Sequence, residues 1–248
     1  ELAQAAGAHL LISTLRIHKP GEDGLFRMLA KSGADGWLAR SLAAIHYARR
    51  HRIPYVADFS LNVANPLTAE QIMAWGAQRF TLSYDLNRSQ LIQLASYVPS
   101  DWMEVVIHQH MPMFHMEHCV FCSTLSPGHN KSDCGRPCDR HDVKLRDRVG
   151  MEHVLHADIG CRNTLYNAQA QSGAEIVPDL IGLGLTAFRI ELLRDTSIDE
   201  TQRLIELYRQ LLSGRSSGTQ VWRELKADNR VGVTRGALDG PRNPLAIL

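Results

Sequence analysis

Short apolar strands alternate with helix-like segments through the first half of this chain, and that alternation limits the folds open to it. The strand-like stretches are "HLLISTLRI" (9–17), "DGWLAR" (35–40), "PYVADFSLN" (54–62), "RFTLSYDL" (79–86), "MEVVIHQHM" (103–111), "HVLHADIG" (153–160) and "AFRIELL" (187–193). Between most of them lie helical patterns such as "SLAAIHYARRH", "TAEQIMAWGA" and "RSQLIQLASYV". Thr68 is the expected cap of the second of these, with Gln71 as a partial capping box and Gly76 at its stop. A repeat of roughly 20–25 residues per strand–helix unit signals parallel βα units.

Two parallel architectures compete. A doubly wound nucleotide-binding sheet needs a glycine-rich phosphate turn after a strand. The sequence contains neither G-x-G-x-x-G nor G-x-x-x-x-G-K-[ST]. A (β/α) barrel needs no such turn and collects its functional groups at the strand C-termini. Polar residues gather at those ends: Arg40, Asn62, Asn65, Ser83, Asp85, Asn87, His108, His110, Asp158, Arg162, Asn163 and Glu191. The expected fold is therefore an α/β, TIM-like (β/α) barrel over residues 1–213. Seven strands are visible, so either the barrel is truncated or one of its strands is unrecognised. A polar extension or linker follows over 214–248, leading toward a missing N- or C-terminal domain.

The alternation breaks between about 111 and 150. This insert has no helix or strand period, but it holds Cys119, Cys122, Cys134 and Cys138, four of the five cysteines in 248 residues. A structureless insert of that length is usually functional. The spacing is C-x2-C, eleven residues, then C-x3-C, with Cys161 at a later strand end. Short steps of this kind let one turn deliver two thiolates to a metal. Their neighbours are Asp, His, Asn, Lys and Arg, which argues against cysteines used as small buried hydrophobes. An odd, crowded set fits thiolate ligands in a reducing compartment better than a disulfide framework. Zinc would take four thiolates or exchange one for His118 or His141; an iron–sulfur cluster would take four cysteines. A thiol at the barrel mouth suggests an insert that folds back and closes a 4Fe–4S cluster over the site, with zinc as the alternative. One cysteine is then spare.

Composition adds exclusions. The chain is 44% hydrophobic and 21% charged with a formal net charge of +1, so bulk charge favours neither nucleic acid nor membrane. No apolar run reaches the roughly 18 residues of a membrane span. A cytoplasmic protein is expected. There is no H-E-x-x-H and no G-x-S-x-G, so no recognised peptidase nucleophile or zinc motif is present, and a Ser83–His108 dyad has no support in sequence. Strand alternation puts Glu104, His108 and His110 on one face. Glu104, His108 and Glu191 are the catalytic candidates. Asn62, Asn65, Asp85, His110, Asp158 and Arg162 are substrate-binding candidates. Arg148, with Arg146, offers guanidinium for an anionic donor or RNA phosphate. The basic tail "NRVGVTRGALDGPRNP" offers phosphate contacts without aromatic interleaving.

Five blocks resemble the collagenase-like peptidase family U-32 over about residues 50–215. They are "YVADFSLNVANPLTAEQIMAWGAQRFTLSYDLN", "EVVIHQHMPMFHMEHC", "DCGRPCDRHDVKLRDRVG", "HADIGCRNTLYN" and "GLTAFRIELLR". The chain departs from the family pattern at Asp85, at Gln109 after the histidine, and at Arg189 where lysine is usual. The resemblance implies either collagenase-like proteolysis or 4Fe–4S-dependent, oxygen-independent hydroxylation. In the latter the substrate is an RNA base or a small aromatic quinone precursor, with prephenate implicated as oxygen donor for the RNA members. It also implies a cysteine at the first position of the set, so Cys119 joins Cys134, Cys138 and Cys161 as expected ligands. A zinc-stabilised, non-catalytic RNA-binding module is the remaining reading. The electron donor is not specified.

Overall fold

The computed structural model describes residues 5–194, 196–228 and 232–239. Parts of the C-terminal tail read as a phosphate contact, 229–231 and 240–248, lie outside them. Chain contacts divide into two units: one of residues up to Ile107 with Ile176–Arg189 and the stretch from Gly236, the other of His108–Glu175 with Ile190–Arg235.

The first unit is built on β1 (Leu11–Ser13), β2 (Gly36–Ala39), β3 (Tyr55–Ala57), β4 (Phe80–Thr81) and the start of β5 (Met103–Met116). Neighbours pair in parallel and in chain order. Helices α1 (Asp23–Ala30), α2 (Leu42–His51), α3 (Pro66–Ala74) and α4 (Arg88–Tyr97) make the crossovers. A strand order that advances one place per crossover, without reversal, is that of part of a (β/α) barrel rather than of a doubly wound sheet. Closure into a full barrel does not follow from it. The core is apolar on both strand faces, with Trp37, Val56, Phe80, Met103 and Ile107 nearly inaccessible. Phe26, Trp37 and Tyr47 pack as an aromatic cluster with centroids 5.4–5.7 Å apart.

Helix starts follow capping chemistry. Ser41 caps α2 through Ala44 N, and Asn87 forms a full capping box with Gln90 on α4. On α3 the cap is Asn65, whose Oδ1 accepts from Thr68 N at 2.9 Å. Thr68 was the expected cap. Pro66 moves the start upstream, because proline suits the first helical position.

The second unit carries a correction. The segment 153–160 was expected as a parallel barrel strand. It forms most of β7 (Glu152–Asp158), which pairs antiparallel with β6 (Val143–Arg146) and β8 (Arg162–Ser172). The distal part of β5 also pairs antiparallel with β8, from His108↔Ser172 to Met116↔Asn163. The physical reason is the three-residue turn at Ile159–Cys161, too short for the crossover that a parallel pair requires. Helix α5 (Val120–Leu125) and β6 lie inside the insert. After α6 (Val177–Gly182, in the first unit) and β9 (Phe188–Ile190) come α7 (Ile198–Leu212) and α8 (Gly218–Asp228). The two-residue β10 (Val233–Thr234) then pairs with β8. Phe121, Leu155 and Leu165 form the core beneath the cysteines, packed by Met113, Met116, Val120 and Val143.

Candidate functional site

All five cysteines line one cavity of about 690 Å³. Four structural devices bring them there. Cys119 is the residue that begins α5, and its Sγ lies 3.5 Å from Cys122 N as acceptor. The 129–134 loop is folded on Asp133, whose carboxylate accepts from His129 N at 2.9 Å and Asn130 N at 2.7 Å. The Asn130 and His129 amides hold that carboxyl below its ordinary range. Gly128 lets the loop close, since a Cβ there would come within 2.5 Å of the Asp133 carbonyl oxygen. Cys138 sits in the single turn Pro137–Asp139, and Cys161 in the β7–β8 turn beside Gly160; both Gly160 and Cys161 have positive φ.

The hairpin is fixed to the cysteine loop by two buried polar residues. Arg162 Nε donates to Glu117 Oε1 at 2.7 Å. Asn163 Oδ1 accepts from Val120 N at 2.7 Å, and its Nδ2 donates to the Arg162 carbonyl. Burial pushes the Cys122 thiol pKa up, and the neighbouring Cys134 and Cys119 thiols push it further. Burial does the same to Cys138, helped by Asp139 and Cys119. Thiols in such company yield their protons to a bound cation far more readily than to water. Among the described residues, no three His, Cys, Asp or Glu side chains converge closely enough to hold a single metal ion. The cavity wall also carries His118, Lys131, Arg136, Asp158 and Arg194.

The strand-end residues of the first unit form a separate polar cluster. Asp58, 2% exposed, lies 2.8 Å from Arg189 Nη2 and 3.3 Å from Arg40 Nε. Arg189 Nη1 is 3.2 Å from Glu104 Oε1, which also accepts from Thr81 Oγ1 at 3.3 Å. Two guanidinium groups thus meet two carboxylates, a self-neutralising network. Beside it Phe59 and Tyr84 stack at 3.9 Å, with the Arg16 guanidinium 5.0 Å from the Phe59 ring. Ser83 Oγ donates to Asn62 Oδ1 at 2.6 Å.

Two sequence candidates, His108 and His110, line a second cavity, of about 460 Å³, in the second unit. His108 is 4% exposed, and its Nδ1 is 3.3 Å from Tyr208 OH. Burial lowers its pKa to about 4, with His110 adding to the shift. The other candidates fall elsewhere. Glu104 belongs to the arginine network, and Asn65 is a helix cap. Asp85 is exposed, and Arg148 is exposed between β6 and β7. Glu191 donates its backbone N–H to the His108 carbonyl. Asp158 accepts from Ile159 N at the turn that presents Cys161. Sequence reading missed Asp58 and Tyr208. A buried acid in "VADFS" and a tyrosine on the apolar stripe of "LIELYRQLL" were the signals.

These observations define a mixed α/β protein: a sequential parallel β/α unit, and an antiparallel unit whose thiols face one cavity. The family model described as Peptidase family U32 matches residues 21–238, and the chain belongs to that family. No solved structure matches the chain. Among the described residues no helix is long and apolar enough to cross a membrane.

Proposed function

We propose that this chain is an iron–sulfur protein that hydroxylates, or similarly modifies, a base in RNA without molecular oxygen, an organic co-substrate supplying the oxygen atom and accepting the electrons. The observation that carries the reading is the convergence of five thiols on one cavity. The donor set suits a cluster. Thiolate is the usual protein ligand of iron–sulfur centres. Zinc, the alternative, would take four of the same thiolates at roughly 2.3 Å from one point.

Cys119, Cys134, Cys138 and Cys161 are the proposed ligands. Each is half-buried on the cavity wall. Cys122 is buried, with its S–H directed at the Gly128 carbonyl, which supports it as the spare thiol. When bound, a 4Fe–4S cluster would supply one-electron transfer or an electrophilic iron at this cavity. The chain's own groups would do the rest. Lys131 and Arg194 on the wall favour an anionic donor or RNA phosphate. Asp158 and His118 stand where protons could be exchanged. Reduced thiols fit a cytoplasmic setting. The peptidase reading is weaker. Ser83 gives its hydroxyl hydrogen to Asn62.

The test is purification without oxygen, with iron, sulfide and zinc measured, and nucleoside mass analysis of RNA from cells with and without the chain. The reading expects iron with sulfide, broad visible absorbance, and one nucleoside heavier by an oxygen atom. Cys161→Ser should lower iron; Cys122→Ser should lower it much less. Stoichiometric zinc without iron would end it in favour of a zinc-stabilised RNA-binding module.

A further inference from the structure

The His108 cavity is chemically unlike the cysteine cavity and is unused by the function proposed above. Its two imidazoles come from alternate positions of β5 and share a face. His110 Nδ1 is 2.8 Å from the Asn167 carbonyl. A carbonyl only accepts, so Nδ1 carries the hydrogen, and in the neutral ring Nε2 is the acceptor. His108 Nδ1 meets Tyr208 OH, which in turn lies 2.8 Å from Ser172 Oγ. His108 is 4% exposed as a residue, and its one side-chain hydrogen bond among the described residues is made through Nδ1, which leaves Nε2 open to a ligand. Two imidazole rings on one cavity wall, each bonded to the protein through Nδ1, leave their Nε2 atoms available to a hydrogen-bonding ligand.

The remaining wall sets the chemistry of the occupant. Asp199 and Glu200 supply two carboxylates and Arg203 one guanidinium, an excess of one negative charge. Ala170, Leu204, Leu207, Leu225 and Val233 supply an apolar surface. Helix-start acids also favour the α7 dipole, and Ser197 caps Glu200 N. That accounts for the acids as helix residues. It does not account for two imidazoles turned toward the same space.

We propose that this cavity is a second binding site, for a small organic ammonium ion: a protonated amine on a short apolar or aromatic body. The ammonium hydrogens meet the His110 lone pair and the carboxylates, and the body lies on the leucine and valine wall. A cation would meet the carboxylates of Asp199 and Glu200, whereas an anion would face them unfavourably. A bare metal ion is disfavoured, since these His, Asp and Glu groups do not converge on one point. The cavity is within the roughly 300–1,000 Å³ of small-molecule sites.

The test uses the full chain labelled with ¹⁵N. Histidine ring nitrogens are followed while 2-phenylethylamine, 2-phenylethanol or 3-phenylpropionate is added, with zinc in a separate titration. The amine should shift the His108 and His110 ring signals saturably. The alcohol and the carboxylate should bind about tenfold more weakly or worse. Asp199→Asn and Glu200→Gln, both on exposed residues, should each weaken the amine about threefold while the melting temperature falls by no more than a few degrees, the loss expected of a helix-start acid. His110→Asn gives an independent check and should weaken the amine without loss of fold. No saturable shift, equal binding of the alcohol, tighter binding of the carboxylate, or stoichiometric zinc on both imidazoles would each overturn the proposal. Iron content is measured on the same samples; its loss would refute the cluster reading and leave this one standing.

Discussion

Arg162, 1% exposed, holds Glu117 at 2.7 Å across 45 residues of chain. Removing the acid leaves a buried guanidinium with one charge-assisted bond fewer. Glu117→Gln should therefore cost about 2 kcal/mol. Urea unfolding would read it as a lower midpoint at unchanged slope. An unaltered midpoint would show that Arg162 is held by its other contacts.

Asn163 anchors the first turn of α5 through Val120 N. Asn163→Ala should cost about 1–3 kcal/mol, because it strands a backbone donor. It should also reduce iron per chain, since α5 positions Cys119 and Cys122. Lower stability with full iron loading would separate the anchor from the proposed cofactor site.

The His108 pKa is about 4 in the folded chain, against 6.5 for the unperturbed group. The unfolded state binds the extra proton first as pH falls. The contribution is thus fully present above about pH 6.5 and is lost progressively down to about pH 4. It amounts to roughly 3 kcal/mol over that window. His108→Gln should flatten this part of the stability–pH curve, measured by chemical denaturation at several pH values. A curve of the same shape in the variant would assign the acid sensitivity to other groups.

Asp58 carries the counter-charge for Arg40 and Arg189 from a 2% exposed position. Asp58→Asn should cost about 3–5 kcal/mol, as expected when one partner of a buried pair is deleted. Replacing Arg189 by Lys should cost less, because a cation remains between Asp58 and Glu104. Equal losses in the two variants would mean that guanidinium geometry, and not charge, holds the network.

The parallel β/α run was legible because its strands and helices carry different periods and its helix starts carry Ser41 and Asn87. The gathering of cysteines was legible as spacing. The antiparallel hairpin was not. The alternation of "HVLHAD" is the same in either pairing sense, and only the short turn at Ile159–Cys161 decides it. Strand β8 escaped because its buried positions include Arg162, Asn163, Thr164, Gln171 and Ser172, which read as surface. Their burial rests on specific partners, which a hydrophobic pattern does not reveal. The insert lacked a period because side-chain-to-backbone bonds around Asn130 and Asp133 shape its loop.

The bond from Asn163 to Val120 spans 43 residues of chain. At about 5–20 residues per second, the ribosome finishes Asn163 roughly two to nine seconds after Val120. By the end of that interval Cys119, Cys122, Cys134 and Cys138 have all been polymerised before the hairpin that completes their cavity. Any loading of this centre is therefore a late event in biogenesis. Until then the nascent thiols depend on the reducing power of their surroundings to stay unpaired.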